Sequence, residues 1–127
     1  LGLYNIYNNN IEREGYIMDN MQRLLIEIKG VELEPSELEV YLLENGLQPT
    51  DTYDTNNNSN KRSIYLTALH VLESLANNPT MMSAIKIDDM TVSDFHENLM
   101  NRIDQLERKV RQMSISDSNS NIFMLYI

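Results

Sequence analysis

The sequence predicts a mainly α-helical fold, a small bundle of about four helices with a short β arm or hairpin. Three observations predict it. Apolar residues recur at three- and four-residue spacing in four separate stretches, the period that lines one face of a helix. Each of the first three stretches runs into a stop signal: Gly30, then Asn45-Gly46, then Asn77-Asn78-Pro79. Strand-type sequence is confined to one brief segment, "AIKIDDMTV", between the third and fourth stretches.

Composition bounds the function. A chain of 127 residues is long enough for one hydrophobic core and too short for a core plus a separate catalytic module. No run approaches the roughly 18 uncharged apolar residues of a membrane span, and the start lacks the basic-then-apolar order of a signal peptide. The chain therefore reads as soluble and made in a cytoplasm, with no membrane partner. The absence of cysteine removes disulfides, thiolate chemistry and most structural zinc sites. The net charge of -9 is concentrated: residues 11 to 60 carry eleven acids against three bases, and the rest of the chain is nearly neutral. Such a surface repels phosphate backbones, so specific nucleic-acid binding is not expected.

The first element comes after an irregular start. Residues 1–17 show no amphipathic period, and Glu12-Arg13-Glu14-Gly15 reverse-translates to a purine-rich string a few nucleotides ahead of the Met18 codon. That resembles a ribosome-binding site, so the native chain is expected to begin at Met18 or Met21, with 1–17 a non-native or disordered extension. The main domain is expected over 18–113. From Asp19 the pattern turns helical, with Met21, Leu24, Leu25 and Ile28 on one face and Gly30 placed to stop it. A second helix is signalled by Ser36 with Glu39 three residues on, the spacing of a capping box. Leu38, Tyr41 and Leu42, with Val40 and Leu43, would cover one broad face before Asn45-Gly46 turns the chain left-handed.

Residues 48–63 are polar and rich in turn formers, and predict a flexible exposed loop. The third helix, from about Lys61 to Ala76, has apolar residues over more than half its circumference and is expected at the centre of the domain. Pro79 ends it, because the ring lacks an N–H and the preceding residue avoids helical backbone. The segment Met81 to Val92 then offers Ile85, Lys86, Ile87, Met90 and Val92 as an arm whose backbone must pair within the chain or with another chain. Ser93 is a good N-cap for the last helix, with Asp94 and Glu97 in its first turn. Phe95, Leu99, Ile103, Leu106, Val110 and Met113 follow as a narrow seam, suited to packing on the third helix or to pairing with a second copy. Residues 114–127 read as a Ser/Asn linker and an apolar tail in which Phe123, Leu125 and Tyr126 would fold back or dock on a neighbour.

Chemistry is sparse. His70 and His96 lack a Ser, Cys or His partner at motif spacing. Asp88, Asp89, Asp94 and Glu97 gather carboxylates near one point without the glycine turn and alternating oxygen ligands of a calcium loop, and acids beside a helix N-terminus are explained by its dipole. Scattered glycines make no phosphate cradle. Arg102, Arg108, Lys109 and Arg111 form a basic cluster late in the last helix, where cations are favoured anyway. No catalytic residues, metal ligands or cofactors are expected.

A helix ending in "LESLANNP", an arm "AIKIDDMTVSDF" and a closing helix "LMNRIDQLERKVRQ" resemble the C-terminal half of the head-tail connector proteins of tailed bacteriophages, the adaptors that dock beneath the portal. The resemblance is best between Tyr65 and Arg111 and extends in arrangement over Met21 to Gln112. It implies a helical bundle that assembles as a ring on the portal protein, in contact with neighbouring copies of itself, with a tail completion protein as a further candidate partner. DNA would pass through the ring, and an acidic surface suits that passage. It also implies a bacterial host cytoplasm during assembly and then the virion. The short second helix, the Asn-rich loop and the apolar terminus depart from the family pattern. The rival reading is a small dimeric regulatory or adaptor protein pairing through Phe95, Leu99, Ile103, Leu106 and Val110; a weaker third is a metal-dependent enzyme using the four carboxylates.

Overall fold

The computed structural model describes residues 17–78, 80 and 91–125, the side chains of Val92 and of 115–125 excepted. Four helices are found among the described residues: α1 (Asn20–Glu27), α2 (Pro35–Glu44), α3 (Asn58–Ala76) and α4 (Val92–Leu125). The fold is mainly helical, as the periodicity predicts. Among the described residues extended pairing is limited to one isolated antiparallel bridge, Asp19 with Thr52. Residues 81–90, which carry most of the expected arm, lie outside them.

The capping box stands at α1 and not, as the spacing predicts, at α2. At α1 the Asp19 carboxylate accepts from the Gln22 N–H at 2.8 Å and the Gln22 side-chain oxygen accepts from the Asp19 N–H at 2.9 Å, so two orphan donors are satisfied reciprocally. At α2 the expected Ser36–Glu39 box is absent. Glu34 is the N-cap, without a side-chain bond, and Pro35 opens the helix. Proline's fixed φ and missing N–H suit a first helical position, which places Ser36 inside the first turn rather than before it. Leu24 and Ile28 of α1 and Leu38 and Leu42 of α2 are buried, whereas Leu25, Val40 and Leu43, expected on the inward faces, are about half exposed. Gly30 (φ +95°) and Gly46 (φ +78°) follow these two helices in left-handed backbone, where a Cβ would be strained.

The segment read as a flexible loop is instead tied down. The Tyr53 N–H donates to the Met18 carbonyl at 2.8 Å, and the Asn20 N–H donates to the Asp51 carbonyl at 3.0 Å. The Asn20 side chain, buried, donates to the Gln48 carbonyl at 2.8 Å and accepts from the Asn60 amide at 3.1 Å. One asparagine thus holds the loop to both α1 and α3. Asn57 caps α3 by accepting from the Asn60 N–H, so that helix starts at Asn58, inside the stretch predicted as loop. Replacing Asn20 with alanine removes two hydrogen bonds of about 1 kcal/mol each; we expect a loss of about 2 kcal/mol, read from urea unfolding, with the 48–57 amides exchanging faster than those of α3.

Helix α3 is central, as expected: Ile64, Ala68, Val71, Leu72 and Leu75 are almost fully buried, and Tyr65 and Leu69 nearly so. α4 packs along it antiparallel. Leu72 meets Phe95 and Leu99 around one cleft, while near the start of α3 the Arg62 side chain donates to the Val110 carbonyl. The N-cap of α4 is Thr91, whose hydroxyl accepts from the Asp94 N–H at 3.0 Å, so Ser93 lies within the first turn and not before it. The backbone stays helical through to Leu125, carrying the Ser/Asn stretch expected as a linker within the helix.

Candidate functional site

The seam of α4 finds its partner inside the molecule. Phe95, Leu99, Ile103, Leu106 and Val110 join the core, with Leu106 at 0% exposure and the others at 8% or less. Each such side chain contributes about 1.5–3 kcal/mol by leaving water. Pairing of two copies through this seam would need the same side chains, and they are already occupied by α3.

Next to the seam runs a line of charged and aromatic groups. Glu27, at the end of α1, accepts from two arginines: Arg23 one turn earlier, at 2.8 Å, and Arg102 of α4. Arg23 is mostly buried between rings, its guanidinium carbon 5.3 Å from the Tyr53 centroid and 5.8 Å from that of Tyr65. Its Nη1 is buried with no hydrogen-bond acceptor, and the negative ring faces stand in for one. Burial is the largest influence on this guanidinium and disfavours its charge, but Glu27 and Tyr53 together outweigh it and raise its pKa further above the ordinary arginine value. Arg23 therefore stays charged at any working pH. Two more cations meet the Tyr65 ring: Lys109 at 5.1 Å and Lys61 at 5.9 Å.

A cleft of about 220 Å³ opens beside the Glu27–Arg102 pair, floored by Ile28, Leu72, Phe95 and Leu99 and edged by Lys29. It is apolar at the base and charged at the rim. Its polar lining is Glu27, Lys29, Asn98 and Arg102.

Of the residues singled out from sequence, Ile85, Lys86, Ile87 and Met90 lie outside the described residues, as does Tyr126, and the side chains of Val92, Phe123 and Leu125 are not described. His70, expected within a buried helix, is exposed, its Nδ1 3.4 Å from the Asn45 amide, and His96 is exposed too. Among the described residues no three His, Asp or Glu side chains are grouped to hold a metal; Asp94 and Glu97 are exposed, and Asp88 and Asp89 lie outside. The basic cluster is divided: Arg102 is bound to Glu27, Lys109 sits over Tyr65, and Arg108 and Arg111 are exposed. Sequence reasoning missed the Glu27–Arg23–Tyr65 line; Arg23 and Glu27 at i, i+4 were its one local signal.

No helix among the described residues is long and apolar enough to cross a membrane. No protein-family model, curated protein or solved structure matches the chain.

Proposed function

We propose that this chain is a non-enzymatic structural subunit of a phage or prophage, a head-tail connector that docks on the portal protein and assembles with neighbouring copies as a ring. The observation that carries the reading is the antiparallel α3–α4 pair. Its packing consumes the whole apolar seam of α4 and sets Ala76 and Val92, between which the connecting segment runs, at one end of the bundle. That connection contains the stretch whose sequence resembles a connector arm. The order of two short helices, a connecting loop and two long helices also fits the resemblance. Large apolar side chains left in water on α1 and α2, among them Ile26, Val40 and Leu43, suit a chain that is covered in an assembly. The rival dimer loses its expected contact, because Leu99, Ile103 and Leu106 are buried in a single copy.

The test is capture of a candidate portal protein by this chain, with wild type compared against Ile87→Asp. Capture is expected for wild type and at least a tenfold loss, about 1.4 kcal/mol, for the variant at unchanged melting temperature. Failure of the wild-type chain to bind portal at any concentration tested sinks the reading.

A further inference from the structure

We propose that neighbouring copies of this chain join head to tail, the outer face of α2 in one copy seating on the Tyr65 cation cluster of the next. The inference names the contact between copies in the ring proposed above and rests on that reading. Its first half is the cluster itself. Arg23, Lys61 and Lys109 come from three different helices to lie within 6 Å of one ring centroid, in a chain whose net charge is -9. Glu27 answers Arg23, but among the described residues no carboxylate lies within 4 Å of Lys61 or Lys109. The Tyr65 ring and Glu27 offset part of the repulsion among these cations, and the exposed Lys109 and half-buried Lys61 remain open to an anion from outside.

The second half is the surface of opposite character. Glu37, Glu39 and Glu44 surround Val40 (53% exposed) and Leu43 (51%) on the side of α2 turned away from Leu38 and Leu42. An apolar centre with a ring of one charge has the composition of a docking face, with rim charges that steer and orient the partner. The two faces do not meet within one copy: among the described residues no glutamate of α2 pairs with Lys61 or Lys109. Asn45, at the C-cap of α2, comes within 3.4 Å of the exposed His70 of α3. At roughly 100° per residue, Lys61 and Tyr65 lie about 140–180° around α3 from His70, away from that end of α2. Two different, complementary faces make a heterologous contact, the kind that propagates copy to copy and closes into a ring when the rotation permits.

Charge reversal tests this with the full chain at about 0.15 M salt, where contacts shorter than the Debye length of roughly 8 Å still act. One variant carries Lys61→Glu and Lys109→Glu, the other Glu37→Lys and Glu44→Lys; circular dichroism checks that both stay folded. In sedimentation velocity at high protein concentration, wild type is expected to self-associate. Each variant alone should associate at least about tenfold more weakly, and their mixture should recover, because each supplies the face the other lacks. A wild-type chain that remains single, variants that associate as wild type does, or a mixture that does not recover would each overturn the contact. So would binding of a short DNA duplex through Lys61 and Lys109 in place of association between copies. Portal capture by the same proteins separates the two readings. A chain that captures portal but never associates loses this contact and keeps the connector function, whereas association through these faces without portal capture does the reverse.

Discussion

Replacing Leu106 with aspartate is expected to abolish the fold of the single chain, rather than to separate a pair of folded copies. Leu106 is at 0% exposure among Phe95, Leu99, Ile103 and Val110, where α4 meets α3. Truncation to alanine at such a site removes the transfer free energy and leaves a cavity, a loss of about 2–5 kcal/mol. Aspartate adds a buried charge with no partner, and the total exceeds what a domain with a stability on the order of 5–15 kcal/mol withstands together with its own lost packing. The measurement is far-ultraviolet circular dichroism with urea titration. We expect loss of the cooperative transition for Leu106→Asp and a lowered midpoint at unchanged slope for Leu106→Ala. A folded monomer with Leu106→Asp would mean that the seam faces outward and serves another chain.

Glu27 is the second position of large effect, for an electrostatic reason. One carboxylate, 10% exposed, answers two guanidinium groups, and Arg23 has its other nitrogen already without an acceptor. Glu27→Ala leaves Arg23 charged between Tyr53 and Tyr65 with the rings alone to hold it. Breaking a buried pair by removing one partner costs about 3–5 kcal/mol; Arg102 is 31% exposed and can turn to water, so the lower end applies here. At roughly 4–8 °C per kcal/mol for a domain of this size, the melting temperature should fall by about 12 °C or more. Adding Arg23→Met to Glu27→Leu should restore most of the loss, because an apolar pair of similar volume is often as stable as the ion pair it replaces. If Glu27→Ala melts within a degree or two of wild type, the pair is solvated in solution and does not hold α1 to α4.

What could be read from the chain followed from local pattern. The inward set Leu24 and Ile28, the central position of α3 and the existence of the α4 seam are all periodicities, and periodicity reports one helix at a time. The helix starts were harder, because several residues competed for each. Ser36 had the right spacing to Glu39, but Pro35 begins α2 one residue earlier; Thr91 caps α4 two residues ahead of Ser93. Asn57 was hidden in a run of asparagines that reads as coil. The loop's order was illegible for a different reason. Asn20 meets Gln48 and Asn60 across 28 and 40 residues, and Glu27 meets Arg102 across 75. Nothing local in a polar stretch announces a partner that distant. The exposure of Val40 and Leu43 was likewise missed, because a helix rich in apolar residues all round does not reveal which of them turn outward. These two side chains and the cations around Tyr65 were outside the sequence-level site, which placed the assembly contacts in the arm and tail.

The most direct test of the connector account is co-sedimentation of the chain with a candidate portal protein, with the number of chains per portal particle counted by native mass spectrometry. The account predicts a complex in which several copies ride on one portal ring, in a fixed ratio, while Ile103→Asp yields unfolded chain that does not join it. A chain that never joins portal, and instead forms a folded pair that Ile103→Asp splits into folded monomers, would contradict it.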